Sequence, residues 1–476
     1  MASTSAPATS QRGGLLRHPQ FFKLWSAATI SLFGTQVSQI AIPFIAAVVL
    51  NAEPGLVGLL TTVEFLPFIL FTLPAGVWVD RLSRRRILIV GNLGRALMLA
   101  SIPIAFAFNA LTIWQLYVVG FVNGVLTVFF DVADQSYLPE ILEKDQLTEG
   151  NAKLQISMSS AQILGQPFAG GAVALLKAPI AVLVDAVSFV ASAVLILSIP
   201  EKTGRAINAI RSRRGPAVDE ASEVAPSPSA AASVLAETAV ADGDSATDDA
   251  SPATSATPPA EPEPSMRQQM TEGLRFIGGH RYLRSIAAAT ATSNLFGNIM
   301  FAIFPVYVYR VLELAPQEVG TIGGLAGIGV LLGALLAVRA GTRLGIGRAI
   351  LVSLLVAQVA TFLVAGAPQG AAFWFVAAGL FLTGFGGVVY NVNQVSLRQA
   401  ITPNHFLGRM NATMRFLVWG TIPLGSLIGA GLSELIGVHE TVWVGALLSP
   451  LAVLPVLFSP VRGLAEIPKD EDAVGA

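Results

Sequence analysis

Cysteine is absent from the 476 residues, which excludes disulfides, thiol nucleophiles and cysteine-ligated zinc or iron–sulfur centres. Only four histidines are present, so histidine-based metal or triad chemistry has little to draw on. Charge is scarce as well: Asp, Glu, Lys and Arg make up 12% of the chain, against about 25% in an ordinary soluble domain. A net charge of −1 provides no bulk attraction to nucleic acid. No Gly-x-x-x-x-Gly-Lys-Ser/Thr run is present to cradle nucleotide phosphates, and Gly323-Gly324-Leu325-Ala326-Gly327 sits inside an apolar segment as a packing sequence. The chain is instead 53% hydrophobic, with Gly 45 and Pro 28, a mixture better suited to helices in lipid than in water. The expected fold is therefore an all-α integral membrane protein, with no enzyme chemistry, cofactor or metal. The first apolar run begins near Phe21 and is longer than the ~7–15-residue core of a signal peptide.

A bilayer core is crossed by roughly 20 apolar residues in a helix. Twelve segments meet that length: 22–49, 56–78, 87–108, 112–132, 154–176, 179–199, 285–309, 319–340, 347–366, 372–395, 413–434 and 440–459. The expected organisation is an N-terminal tail over 1–21 and a six-helix half over 22–199. A linker over 200–284, a second six-helix half over 285–459 and a tail over 460–476 follow. Of the 29 Lys and Arg residues, only Lys177 and Arg310 fall on one side and Arg95 falls within a span. The rest crowd the other side, which places both termini in the cytoplasm; the inner membrane of a bacterial cell is the expected location.

The linker between 215 and 264 contains ten acids and no Lys or Arg, among Ala, Ser, Pro and Thr. It cannot bury enough apolar surface to offset ordering, so a disordered tether is expected. The basic run Arg211, Arg213 and Arg214 before it can meet anionic lipid headgroups. Residues 267–284 read as a short amphipathic stretch on the membrane surface, broken at Gly278 and Gly279.

The halves repeat. Ser31-Leu32-Phe33-Gly34 matches Asn294-Leu295-Phe296-Gly297 at an offset of 263. Pro54, Gly58, Arg81 and Arg86 match Pro316, Gly320, Arg343 and Arg348 at 262. Two parallel six-helix halves imply an axis along the membrane normal and a central cavity between them.

Several residues stand out as carriers of mechanism. Asp80 ends a helix where a carboxylate opposes the dipole and needs a cationic partner, and Arg81, Arg84, Arg85 and Arg86 follow it. Gly76, one turn earlier, permits close helix approach. These residues read as a cytoplasmic gate, with Asp131 and Asp134 at the end of the fourth span as partners for the arginines. Intramembrane charges are costly and usually functional. Glu64, eight residues into the second span, is the leading proton carrier, with a structural hydrogen bond or contact to a cationic substrate as its other readings; Asp185, near the outer end of the sixth span, is a second candidate or else a solvated or capping residue. Arg95, the third proton-coupling candidate, stays charged and must pair with an acid or reach water. In the fifth span Pro167 lacks an amide hydrogen, and Gly165, Gly170 and Gly171 flank it, a combination suited to a hinge and to close packing. Cavity polarity is expected from Gln36, Gln39, Asn294, Asn298, Asn391, Asn393 and Gln394, with interhelical hydrogen bonding as the other reading.

The run Gly76-Val77-Trp78-Val79-Asp80-Arg81-Leu82-Ser83-Arg84-Arg85-Arg86 resembles the major facilitator superfamily, with Ser83 where the family pattern has Gly. Tyr137-Leu138-Pro139-Glu140, Asn151-Ala152, Gly165-Gln166-Pro167-Phe168-Ala169-Gly170-Gly171, Val184 to Phe189, Glu272-Gly273, Gly408-Arg409 and Pro423-Leu424-Gly425 are similar to the drug–proton antiporter branch of macrolide and siderophore exporters. Gln166 stands where the antiporter motif has Gly, and the arginine this branch places in the fourth span is missing. The resemblance implies export of a small amphiphilic compound in exchange for protons through alternating access, by a chain acting as a monomer among membrane lipids. A proton-coupled importer or a lipid flippase is the alternative.

Overall fold

The computed structural model describes residues 15–142, 146–200, 266–403 and 406–466; the linker over 215–264 lies outside them. The side chains of Gly76, Asp80 and Arg81 are likewise outside the description. All regular structure among the described residues is helical. The first half comprises α1 (Pro19–Phe44), α2 (Pro54–Arg81), α3 (Arg84–Ala107), α4 (Ile113–Ile141), α5 (Leu147–Ser160), α6 (Gln166–Leu176) and α7 (Ala178–Leu197). After the linker come α8 (Met266–Gly279), α9 (Arg281–Val306), α10 (Pro316–Leu344), α11 (Ile346–Val359), α12 (Ala372–Ala400), α13 (Leu407–Ile436) and α14 (Val438–Leu448). Among the described residues, 11 helical stretches are long and apolar enough to cross a membrane.

The expected fifth span is not among those stretches. It falls in a helix that begins at α5, with Glu149, Asn151 and Lys153 before the expected span and Gln155 at its start, and a π-helical turn over Ala161–Gly165 joins α5 to the apolar α6. The helix stays unbroken from 147 to 176, but apolar character is confined to its second part.

The repeat extends into the backbone. Pro43 and Pro305 lie near the ends of α1 and α9. After each, the helix loosens into a π turn, Ile45–Val49 and Tyr307–Val311, because a proline removes one amide donor from the ladder. The turns close alike: Leu50 N donates to Ile45 O at 2.8 Å, and Leu312 N to Tyr307 O at 2.9 Å. Each is followed by a left-handed residue, Asn51 at φ 48° and Glu313 at φ 55°. That conformation costs a non-glycine residue on the order of 1 kcal/mol. Then Pro54 and Pro316 open α2 and α10 at the first turn, where a missing amide hydrogen is no loss.

In the first half α1 packs on α7, α3 on α7 and α4, and α2 on α4; in the second α9 packs on α13 and α14, and α12 on α10 and α11. The halves meet where α2 crosses α13 and α6 crosses α10. Each half has buried apolar clusters, among them Val37, Leu99, Ile102 and Leu116 in the first and Tyr307, Val364 and Val376 in the second. Large apolar side chains such as Leu97, Leu335, Leu435 and Phe458 are exposed on the perimeter, where hydrocarbon replaces water as solvent.

Candidate functional site

A cavity of about 340 Å³ lies between the halves. Its wall from the first half includes Gln39, Ile40, Pro43, Gln162 and Gln166, and the second half contributes Phe304, Val308, Tyr309, Ile322 and Leu380, among others. Gln166 Nε2 donates to Gln36 Oε1 at 2.8 Å and to Gln39 Oε1 at 3.4 Å, so a buried glutamine anchors the polar wall. Gly165 makes room for this network, since a Cβ there would lie 2.7 Å from Gln36 Cγ. Of the glutamines expected at the cavity Gln39 lines it and Gln36 is buried behind, while Gln166, which in the sequence stands out only as a departure from a glycine motif, and Gln162 complete the wall. The available signal was the i, i+4 spacing of Gln162 and Gln166, which sets both on one helical face.

The cavity is roofed at the face that carries Lys177 and Arg310. Pro43 and Pro305, which precede the paired π turns, line it, and the turns themselves are tied together. Arg310 Nε donates to Ala47 O at 2.6 Å and an Arg310 terminal nitrogen to Ala52 O at 2.7 Å. Tyr309 packs edge-on against Phe44 at 4.9 Å. Nearby, Gly55 N donates to Glu434 Oε1 at 2.6 Å. Glycines bring the helices together below: a Cβ on Gly320 would lie 2.9 Å from Gly170 Cα, and one on Gly58 would lie 3.1 Å from Ala430 Cβ. Pro167 fills the space left by Gly324, while Gly171 faces open space. The Arg310 clasp went unnoticed in the sequence, where Arg310 signalled only as one of two cations on the charge-poor side.

The charged candidates fall elsewhere. Arg95 is buried between the rings of Phe130 and Phe189, each centroid 4.2 Å from its guanidinium carbon. It donates to Asn92 Oδ1 at 2.7 Å and is attracted by Asp131, Asp185 and Asp134. Asp185 is buried among helices rather than open to solvent. It lies seven residues into α7, is 1% exposed, and accepts from Ser38 Oγ at 2.5 Å and Ser188 Oγ at 3.2 Å. Gly34 leaves the room, since a Cβ there would overlap Ser188 Oγ. Glu64 packs on Gly120 of α4, where a Cβ would lie 3.0 Å from Glu64 Cγ. In the basic loop Arg84 pairs with Glu140 at 2.7 Å and donates to Ser136 O, and Arg85 donates to Leu197 O at 2.6 Å. Arg86 is exposed.

Of the amide candidates in the second half, Asn294 and Asn393 bond between helices, and Asn298 and Gln394 donate within their own. Asn294 donates to Val418 O at 3.0 Å, and Asn298 to Asn294 O at 2.8 Å. Asn393 is buried, donating to Ala337 O at 3.2 Å and Val389 O at 2.8 Å, a tie between α12 and α10 rather than a cavity lining. Gln394 is also buried and donates to Asn391 Oδ1 at 3.0 Å. Apolar surroundings leave such amides the backbone of the next helix as partner.

The sequence profile of the Major Facilitator Superfamily matches residues 24–312 and again 286–473. The chain belongs to the major facilitator superfamily. It is thus a membrane transporter, not an enzyme. It is 26% identical over 410 residues to the multidrug efflux pump Tap of Mycolicibacterium fortuitum, covering 82% of this chain and 83% of that protein. To macrolide efflux protein A of Streptococcus pyogenes it is 27% identical over 133 residues, 27% of this chain and 32% of the relative. To the uncharacterized MFS-type transporter YfiS of Bacillus subtilis the match spans 41% of the relative's length. A bacterial homologue of the iron transporter ferroportin, solved in an inward-facing state, shares the fold at a TM-score of 0.65 with 15% identity, covering 94% of this chain and 99% of that one. The nucleoside transporter NupG does so at 0.65 with 12% identity, covering 92% and 99%. This superfamily member therefore has efflux pumps among its sequence relatives and metal and nucleoside transporters among its structural neighbours.

Proposed function

We propose that the protein is a secondary exporter that moves a small amphiphilic compound outward in exchange for protons, by alternating access of the cavity between its halves. The observation that carries this reading is the cavity itself, with three glutamines on its first-half wall facing an apolar second-half wall, roofed by contacts that join the two halves. Such contacts must break for the roof to open, which is the requirement of a two-state transporter. The charge asymmetry supports a cytoplasmic position for the basic face and both termini, in a bacterial inner membrane. The acidic linker is then a cytoplasmic tether. Glu64, standing apart from the cavity, is the leading proton carrier; Asp185, Asp131 and Asp134 around Arg95 form a second candidate group. Asp80 and the arginines after it serve as the basic-face gate.

Reconstitution in liposomes with an imposed pH gradient tests the proposal, using a panel of drugs and siderophores as substrates. Proton influx should drive substrate efflux. Substrate moving in the same direction as the protons would make it an importer, and lipid movement in place of solute would make it a flippase. Identical flux with and without a proton gradient or membrane potential would reject coupling.

A further inference from the structure

We propose that the cavity selects an uncharged amphiphile, reading its polar edge with a carboxamide wall, and that exchange is therefore electrogenic; the second step rests on the antiport reading above. The lining carries Gln39, Gln162, Gln166 and Tyr309 as its polar side chains. Among the described residues of the lining there is no Asp, Glu, Lys, Arg or His. The glutamines all come from the first half, and the facing wall of Phe304, Val308, Ile322 and Leu380 is apolar. A carboxamide offers a donor and an acceptor whichever way it is turned. Gln166 uses its nitrogen on Gln36 and Gln39, which leaves its oxygen to the cavity side. Gly323 protects that arrangement, because a Cβ there would lie 2.6 Å from Gln166 Oε1.

A charged ligand would find no counter-ion. Burying a fixed charge without one is strongly unfavourable, whereas a hydroxyl, amide or carbonyl is satisfied by these glutamines. The acids that might have served a cation are held elsewhere: Asp185 by Ser38 and Ser188, and Asp131 and Asp134 around Arg95. Glu64 packs on Gly120, away from the lining. Outward movement of a neutral molecule against inward protons carries net positive charge inward, one per proton. The membrane potential then drives export even when the pH is equal on both sides.

Binding to the full chain in lipid nanodiscs, with no gradient present, tests selectivity. The probes are two dyes, Nile red, which is uncharged, and rhodamine 6G, which is permanently cationic. Nile red should bind the more tightly and saturably. Gln162→Leu, at a cavity-exposed position, should weaken it about tenfold, and Gln166→Glu should shift preference toward rhodamine 6G. Melting curves establish that each variant is folded. Tighter binding of rhodamine 6G by the unmodified protein, binding of neither dye, or an unchanged preference in Gln166→Glu would overturn the proposal. In liposomes at equal pH, a potassium–valinomycin potential should drive Nile red flux. Flux that follows a pH gradient but ignores the potential would refute electrogenicity. Flux indifferent to both gradients would instead sink the antiport reading and leave the binding result standing.

Discussion

Removing the Arg310 guanidinium should open the charge-poor face. The two bonds from Arg310, 2.6 Å to Ala47 O and 2.7 Å to Ala52 O, join a π turn of one half to the π turn and following loop of the other. If the roof opens there, these bonds must break. A charge-assisted bond contributes about 1.5–3 kcal/mol when well sheltered. Arg310 is half-buried, so competition with water reduces the pair to about 2 kcal/mol. Arg310→Gln should therefore raise the population of the roof-open state roughly 30-fold, and Arg310→Lys, which keeps the charge but loses the planar fork, should fall between. The absence of cysteine makes the assay clean, because a label pair can be introduced without background. Phe108→Cys, at a 78% exposed position after α3, and Gly370→Cys, in open space before α12, place one spin label on each half. A longer inter-label distance should grow in weight in Arg310→Gln, with insertion and melting temperature preserved. An unchanged distance distribution in a folded Arg310→Gln protein would refute the clasp.

Glu64→Gln should abolish flux driven by a pH gradient while leaving substrate-for-substrate exchange intact; persistent coupling would move the proton site to Asp131, Asp134 or Asp185. Gly320→Val forces a side chain into Gly170 and the Gln166 carbonyl, a misfit of about 1–3 kcal/mol against the closed roof, read by the same label pair. Gly171→Val, which meets nothing within 4 Å, is the matched control and should leave the distances as they are. Asp185→Ala strips a buried anion from Ser38, Ser188 and Arg95 and should lower thermal stability by about 3–5 kcal/mol. Asp185→Asn, which keeps an acceptor for the two serines, should cost less, and equal melting temperatures for the two variants would contradict this account.

The helical architecture was legible in the sequence because lipid restricts the options so severely. A span must satisfy its own backbone and match the hydrocarbon thickness, so long apolar runs announce themselves. The repeat at 262 was readable from Pro54 and Pro316. It reappears in backbone features no pattern had suggested, the π turns after Pro43 and Pro305 and the left-handed Asn51 and Glu313.

The site was decided by tertiary structure. A helix that is apolar nearly all round carries little sign of which face turns inward, and rotation is set by how neighbouring helices pack. Gln39 lines the cavity and Gln36 is buried behind it because Gln166, 127 residues or more away in the chain, closes on both. Asn393, equally polar and equally placed within an apolar run, turns instead toward Ala337 O. Asp185 is deep rather than peripheral because Gly34 leaves room for Ser188 beside it and Ser38 reaches across from α1. Composition and periodicity determined that these polar groups sit within membrane helices. Only the crossings of α1, α6 and α10, made close by glycine, determined which of them share a wall and which merely hold two helices together, because a hydrogen bond between helices depends on rotation and separation that no single segment encodes.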